Sequence, residues 1–154
     1  MGPAGGAPPI TDALRGEHGA LYALFDAVSE MLATGPPAAG GLAGLLGALL
    51  APVLASHASL EDGILLAGFT GSEPGPLVAM EEEHRGIEAR LERLVRERDE
   101  SRARELLEEL LQAARDHFER EEVAVFPFAE AHMEAEDLSR LGETWAARRG
   151  VGIG

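Results

Sequence analysis

The chain has 154 residues, of which 45% are hydrophobic, and this length and composition are ordinary for one globular domain with its own core. Its 27 acidic residues outnumber 13 basic ones, and the formal net charge of -14 opposes binding to nucleic acid or to an anionic membrane. Because cysteine is absent, disulfides and thiolate sites are excluded, and any metal must be held by histidine and carboxylate ligands.

Helical patterns account for nearly all of the chain, because no segment alternates apolar and polar residues as a strand does. Residues 1–9 predict a flexible tail, since they are rich in glycine, alanine and proline. They lack the charged and apolar regions of a signal peptide. A cytoplasmic protein is therefore predicted.

The first predicted helix begins at a cap formed by Thr11 or Asp12 and runs to about Ala33. Apolar residues recur in it at spacings of three and four, and one histidine stands among them. The predicted inward positions are Leu14, His18, Leu21, Phe25, Val28 and Leu32.

The second predicted helix runs from about Gly41 to Gly68, after a break at 35–37. Its predicted inward positions are Leu46, Leu49, Val53, His57, Leu60, Glu61 and Ile64. The apolar segment 42–60 is long enough to span a membrane, but its glycines, its proline and its terminal histidine favour a buried helix. No membrane association is predicted.

A loop at 70–76 precedes the third predicted helix, which ends near Arg98, and Ser101 is the predicted cap of a fourth helix that ends by Met133. The predicted inward positions are Leu77, Met80, His84, Ile87, Leu91 and Leu94 in the third helix, and Leu107, Leu110, Ala114, His117, Glu121 and Val125 in the fourth. Residues 135–154 predict a short C-terminal helix and a frayed end. An all-α, up-down-up-down antiparallel four-helix bundle is predicted for residues 10–134, because short loops join long amphipathic helices.

Two histidine–glutamate pairs stand on these inward stripes, His57 with Glu61 and His117 with Glu121. The spacing of four residues puts an imidazole and a carboxylate on one helix face, one turn apart. In an antiparallel bundle, the rise of about 1.5 Å per residue brings further inward residues to the same height. Two such pairs therefore indicate a metal site.

His18 and His84 fall at the height of the two pairs, whereas His132 lies at the distal end of the fourth helix and is predicted to be exposed. Each inward polar side chain would cost about 1–3 kcal/mol if it had no partner. Mutual hydrogen bonds satisfy only some of them, and metal coordination satisfies them all. The predicted metal ligands are His18, His57, Glu61, His84, His117 and Glu121.

Six ligands that include two carboxylates suit two metal ions better than one. Each glutamate can bridge with both oxygens, so that each ion takes two histidines, two carboxylate oxygens and a shared oxo, hydroxo or water ligand. About one coordination position then stays open on each ion. Imidazole and carboxylate suit iron, with manganese or zinc as possible substitutes, and an open position implies small-molecule binding or redox chemistry.

The order of these six residues along four helices resembles the pattern of the hemerythrin-like family of HHE cation-binding domains, and the resemblance covers about residues 10–133. The resemblance implies a non-haem di-iron centre with the four histidines as terminal ligands and the two glutamates as bridges. It also implies reactions with dioxygen, nitric oxide or peroxide, or a role in iron and oxygen sensing.

The chain departs from the oxygen-carrying hemerythrins at Met80, where their third helix has a further histidine one turn before His84. Four histidines in place of five disfavour reversible oxygen carriage. Glu81 is a possible extra carboxylate ligand, although its acidic neighbours favour a solvated position. Tyr22, one turn after His18, is a possible hydrogen-bond donor or ligand, or else a core or rim aromatic.

Ferritin-like di-iron bundles have Glu-x-x-His on two helices, and this chain has that spacing only at Glu81 and His84, which disfavours that class. Two classes stay open: a module that binds dioxygen or nitric oxide for storage, delivery or sensing, and a di-iron oxidase or peroxidase acting on a small substrate. A dry pocket around the open positions would favour binding, whereas a channel to solvent would favour turnover. A purely structural site is least favoured, because structural sites tend to be closed.

Overall fold

The structure, a computed structural model, describes residues 6–35 and 41–151. Within these ranges the chain consists of helices and connecting loops, which confirms the all-α fold class. The helices are α1 (Ile10–Thr34), α2 (Leu42–Leu60), α3 (Pro76–Arg96), α4 (Glu100–Arg120), α5 (Phe126–His132) and α6 (Ala135–Arg149). The predicted tail and frayed end lie partly outside the described residues.

Contacts between helix ends show that α1 and α4 run in opposite directions. Arg104, near the start of α4, donates a hydrogen bond to the backbone carbonyl of Leu32, near the end of α1. At the other end of the bundle, Arg15 of α1 donates two hydrogen bonds to Glu130 of α5, which continues the direction of α4. The start of α1 therefore lies beside α5, and its end lies beside the start of α4.

The other pair of neighbours, α2 and α3, is also antiparallel. A side chain at Gly47, near the start of α2, would collide with Leu94, near the end of α3. The end of α1 and the start of α2 pack in one apolar cluster, so these two helices are antiparallel as well, and the up-down-up-down bundle is confirmed. The sixth helix packs on α1, and the approach is close, because a Cβ at Gly142 would collide with the carbonyl oxygen of Pro8, just before α1.

Buried apolar side chains form two clusters, which we call the upper and lower clusters. The upper cluster takes residues from 21–32 of α1, 43–54 of α2, 87–94 of α3 and 103–118 of α4. The lower cluster takes residues from the opposite ends of α1, α2 and α3, from the segments that follow α2 and α4, and from α5 and α6. Six buried histidines and glutamates lie between the two clusters along the helices. The fold thus encloses a polar layer between two apolar ones.

Both predicted helix caps are wrong. The first helix begins at Ile10, and the Thr11 hydroxyl instead donates a hydrogen bond to Glu130. The fourth helix is capped by Asp99, whose carboxylate accepts a hydrogen bond from the backbone amide of Arg102. A carboxylate at this position reaches the third amide of the helix, which Ser101, already within the first turn, cannot do.

The predicted inward face of α2 is partly wrong, since Leu49 and Val53 are 61% and 40% exposed. The buried stripe contains Leu46, as predicted, and Leu50 and Leu54 in place of the other two. The residues 42–60 include no Asp, Glu, Lys or Arg, so no polar face marks the side that faces solvent.

The prediction of a buried second helix holds for one side of it only. Among the described residues, the helix Leu42–Leu66 is long and apolar enough to cross a membrane, by length and composition alone. Core helices of soluble proteins pass the same test, so this is weak evidence for a membrane span. In the structure the helix packs on α3 and α4, and a cytoplasmic location stays a prediction.

Candidate metal centre

Both histidine–glutamate pairs lie where an α-helix passes into a π-helical turn. The turns are Glu61–Leu66 after α2 and Glu121–Val125 after α4, so each begins at the glutamate of a pair. The amide of each glutamate still bonds to the carbonyl of its histidine, which keeps the pair one α-helical turn apart. Single π-helical turns are rare and occur frequently at functional sites.

All six predicted ligand residues converge in one buried layer, with exposures between 0% and 8%. Their side chains form two groups, in each of which the candidate ligand atoms lie within 4.8 Å of one another. The first group is His18, His57, Glu61 and Glu121, and the second is Glu61, His84, His117 and Glu121. Both glutamates belong to both groups.

The Nε2 atoms of the histidines lie against the two carboxylates. The Oε1 atom of Glu61 is 3.0 Å from Nε2 of His57 and 3.0 Å from Nε2 of His84. The Oε1 atom of Glu121 is 3.0 Å from Nε2 of the histidine in its own pair and 3.3 Å from Nε2 of His18. Each glutamate thus contacts one histidine of each group, as a bridging ligand would.

Several buried atoms of this layer have no hydrogen-bond partner among the described residues, because even where their distances to neighbouring nitrogens or oxygens are short, they lack the alignment that a hydrogen bond requires. They are Nδ1 of His18, Oε2 of Glu61, Nε2 of His117 and both carboxylate oxygens of Glu121. Buried polar atoms are nearly always paired, and each unpaired one costs about 1–3 kcal/mol. A metal ion in each group would supply the partners that the glutamates and His117 lack, so these residues fit a metal pair.

An acidic side chain holds the outer nitrogen, Nδ1, of three of the four histidines. The pairs are Glu17 with His57 at 2.8 Å, Asp62 with His84 at 2.9 Å and Glu83 with His117 at 2.6 Å. In each pair Nδ1–H donates to the carboxylate, which orients the ring and leaves Nε2 for the layer. The acid always comes from the segment that precedes the histidine's helix.

Sequence reasoning missed these three acids. Glu17, Asp62 and Glu83 each stand next in sequence to a predicted ligand. One step along a helix turns the side chain by about 100°, from the core towards the neighbouring helix. An acidic residue directly next in sequence to a predicted ligand is therefore the signal from which these three acids could have been predicted.

His18 is the histidine whose Nδ1 has no such partner. The nearest carboxylate oxygen, on Glu122, lies 3.8 Å from Nδ1, beyond hydrogen-bonding distance. Its ring instead stacks on Phe118, with centroids 4.0 Å apart and planes 13° apart, and lies 5.3 Å from the ring of Phe126. Aromatic packing therefore holds His18 in place.

The three further candidates lie outside both ligand groups. Tyr22 donates a hydrogen bond to Glu122 at 3.0 Å, in keeping with the predicted donor role. Met80 is buried in the lower cluster. Glu81 pairs with the exposed Arg85 on the same helix.

The carboxylates of the layer shift several pKa values in the metal-free protein. Burial lowers the pKa of His57 and His84, but the adjacent carboxylates outweigh it and raise the values to about 9 and about 10. Burial raises the pKa of Glu61, but the charge of His57 and hydrogen bonds outweigh burial and lower this pKa. The pKa of Glu121 is raised, by its burial and by the charge of Glu61. Because metals bind neutral imidazole, coordination would release protons.

A cavity of about 370 Å³ connects the layer with the surface between α2 and α3. Its lining includes the buried His57, His84 and His117 and the exposed Ser59 and Arg85. The opening therefore borders one histidine of the first ligand group and two of the second. An opening to solvent is the arrangement expected for turnover.

The family described as Hemerythrin HHE cation binding domain matches this chain over residues 9–129, and a second match covers residues 76–146. The first match spans most of the chain and contains all six residues of the buried layer. Comparisons with curated proteins and with solved structures gave no match. The chain therefore belongs to the hemerythrin family of HHE cation-binding domains.

Proposed function

We propose that the buried layer holds two iron ions and that the protein reacts there with dioxygen or a related small molecule. The observation that carries this proposal is that Glu61 and Glu121 are shared between two pairs of histidines. Six donors would fill the coordination sphere of one octahedral ion and leave no position for a small molecule. Two ions would use every buried donor and keep open positions.

One ion would be held by His18 and His57 and the other by His84 and His117, with both glutamates shared. Imidazole and carboxylate donors suit iron, and manganese or zinc suits the same donors. When bound, iron supplies electrons and open coordination positions to dioxygen, peroxide or nitric oxide. The chain's own part is to orient the ligands and, through the upper and lower apolar clusters, to keep water from both ends of the layer.

Two observations favour turnover over reversible carriage. The cavity of about 370 Å³ is within the range that holds small organic ligands, so it admits a small substrate as well as a diatomic gas. Met80 is buried where oxygen carriers have a further histidine, and a thioether is a poor ligand in a site of nitrogen and oxygen donors. An oxidase or peroxidase-like reaction is the function that we assign.

The proposal predicts that protein loaded anaerobically with ferrous iron is oxidised by dioxygen within minutes and also reacts with peroxide. Stopped-flow absorption spectra would follow both reactions. Met80→His should slow the oxidation, because an added imidazole would close the open position. Met80→Leu is the matched control, since it keeps an apolar side chain in the lower cluster and should react as the unmodified protein does. Dioxygen that is released intact under vacuum from the unmodified protein would instead establish a carrier.

A further inference from the structure

The C-terminal helix reaches the candidate metal centre through one carboxylate, that of Glu17. The indole N–H of Trp145 donates to its Oε2, and Arg149 donates to both oxygens, through Nε and Nη2, at 2.8 Å each. The same carboxylate accepts a hydrogen bond from Nδ1 of His57 at 2.8 Å. Hydrogen bonds therefore run without interruption from α6 to one histidine of the layer.

The contacts around Glu17 leave its carboxylate little freedom. A guanidinium that bonds to both carboxylate oxygens fixes their plane as well as their distance. Arg149 is fixed in turn, because its Nη1 also donates to the hydroxyl of Ser56 at 2.6 Å. Ser56 directly precedes His57 on α2, so α6 ties α1 and α2 together beside this histidine.

The other two anchored histidines have different supports. Glu83, which bonds to His117, is held by Arg120 of α4 at 2.9 Å. Asp62, which bonds to His84, follows α2 within its π-helical turn. Among the described hydrogen bonds, those from α6 therefore reach His57 alone among the layer histidines, and hence only one of the two ligand groups.

We propose that Trp145 and Arg149 are positioning residues of the metal centre, which hold Glu17 so that His57 presents Nε2 to the ion it would share with His18. This inference rests on the proposed metal-binding function. It follows that docking of α6 and metal binding at this position strengthen each other, because coupling between two sites is reciprocal. Binding at the position of His84 and His117 should be independent of α6.

The first arm of the test measures metal affinity in the full-length chain. A variant with Trp145→Phe and Arg149→Gln is titrated anaerobically with ferrous iron against a coloured chelator. Loss of the partners behind a metal-bound histidine typically weakens binding by about 10- to 100-fold, so one ion should bind about tenfold more weakly and the other as before. Arg149→Gln alone, which keeps Trp145 packed, should weaken the binding of the same ion by a smaller factor. Arg149→Lys should recover part of the loss.

Arg140→Gln is the matched control, because it removes the same charge from an exposed position of α6, and among the described residues its side chain bonds only to Asp137 of the same helix. Both affinities should stay as in the unmodified chain. If the control variant weakened the binding of the same ion as much as the double variant does, the inference would be overturned. The effect would then come from the lost charge or from a general loss of helix α6.

The second arm observes the histidine rings in the metal-free protein by nitrogen-15 NMR. In the double variant the Nδ1–H proton of His57 should lose its protection from exchange with water. The corresponding protons of His84 and His117 should keep theirs, because Asp62 and Glu83 hold them without α6. A general loosening of the fold would expose all three protons equally.

Unchanged affinity for both ions together with an unchanged His57 signal would overturn the inference, and so would equal weakening of both ions. Failure of the unmodified protein to bind iron would contradict the proposed function instead. The NMR comparison would still decide whether α6 positions His57, because it uses metal-free protein. The two failures are therefore distinguishable.

Discussion

Replacing Glu121 by alanine should strip nearly all of the iron from the purified protein. Its carboxylate belongs to both ligand groups, so its loss removes a donor from each ion at once. His57→Ala should instead cost mainly one of the two ions, because that histidine belongs to one group only. Elemental analysis of iron per chain, after growth with added iron and desalting, measures both effects.

The Glu121 variant should still fold. Both oxygens of this buried carboxylate lack an aligned hydrogen bond in the metal-free protein, so its loss should cost less than the loss of a fully hydrogen-bonded buried group. His132→Ala is the control, since this histidine is exposed, as predicted, and its ring bonds only to the carbonyl of Phe128 four residues earlier. Equal iron loss in all three variants would contradict the shared-ligand arrangement.

Removal of the metal should lower the thermal midpoint of unfolding by about 10 °C or more. A ligand that binds only the folded state, present at a thousandfold excess over its dissociation constant, stabilises by about 4 kcal/mol. For a chain of this size, 1 kcal/mol corresponds to about 2–4 °C. In the metal-free layer several buried polar atoms stay unpaired, and each of them lowers the stability of the fold. Circular dichroism melts before and after treatment with a chelator measure the shift.

The Glu121→Ala variant provides the control for this melting experiment. It should melt at the same temperature with and without the chelator, because it has no metal to lose. If the unmodified protein also kept its midpoint after the metal had been removed, the buried histidines would not bind metal in the folded state.

The amphipathic helices were predictable because their outer faces are charged. Every residue that was predicted to face inward in the third and fourth helices is buried, including Leu77 and Leu94 in the third and Leu107 and Glu121 in the fourth. The second helix is apolar on all sides, so its sequence does not show which side faces solvent, and the predicted inward residues Leu49 and Val53 are exposed. Helix caps depend on single side-chain contacts, and the competition between Asp99 and Ser101 was decided by such a contact.

The inner residues of the candidate site were predictable for a different reason. The spacing of His57 with Glu61 is local, and the antiparallel bundle converts position in sequence into height, which brings together side chains from four helices. The outer partners were not predictable in the same way, because Glu17 is fixed by Trp145 and Arg149. That contact depends on where α6 docks, which no periodicity encodes. The π-helical turns also left no signal in the spacing.

The number of iron ions per chain tests the central claim most directly. Metal-free protein is loaded anaerobically with excess ferrous iron, separated from unbound metal on a desalting column, and assayed for iron and protein in the same sample. Two groups that share Glu61 and Glu121 predict two ions per chain. A value of one ion per chain, or none, would contradict the account.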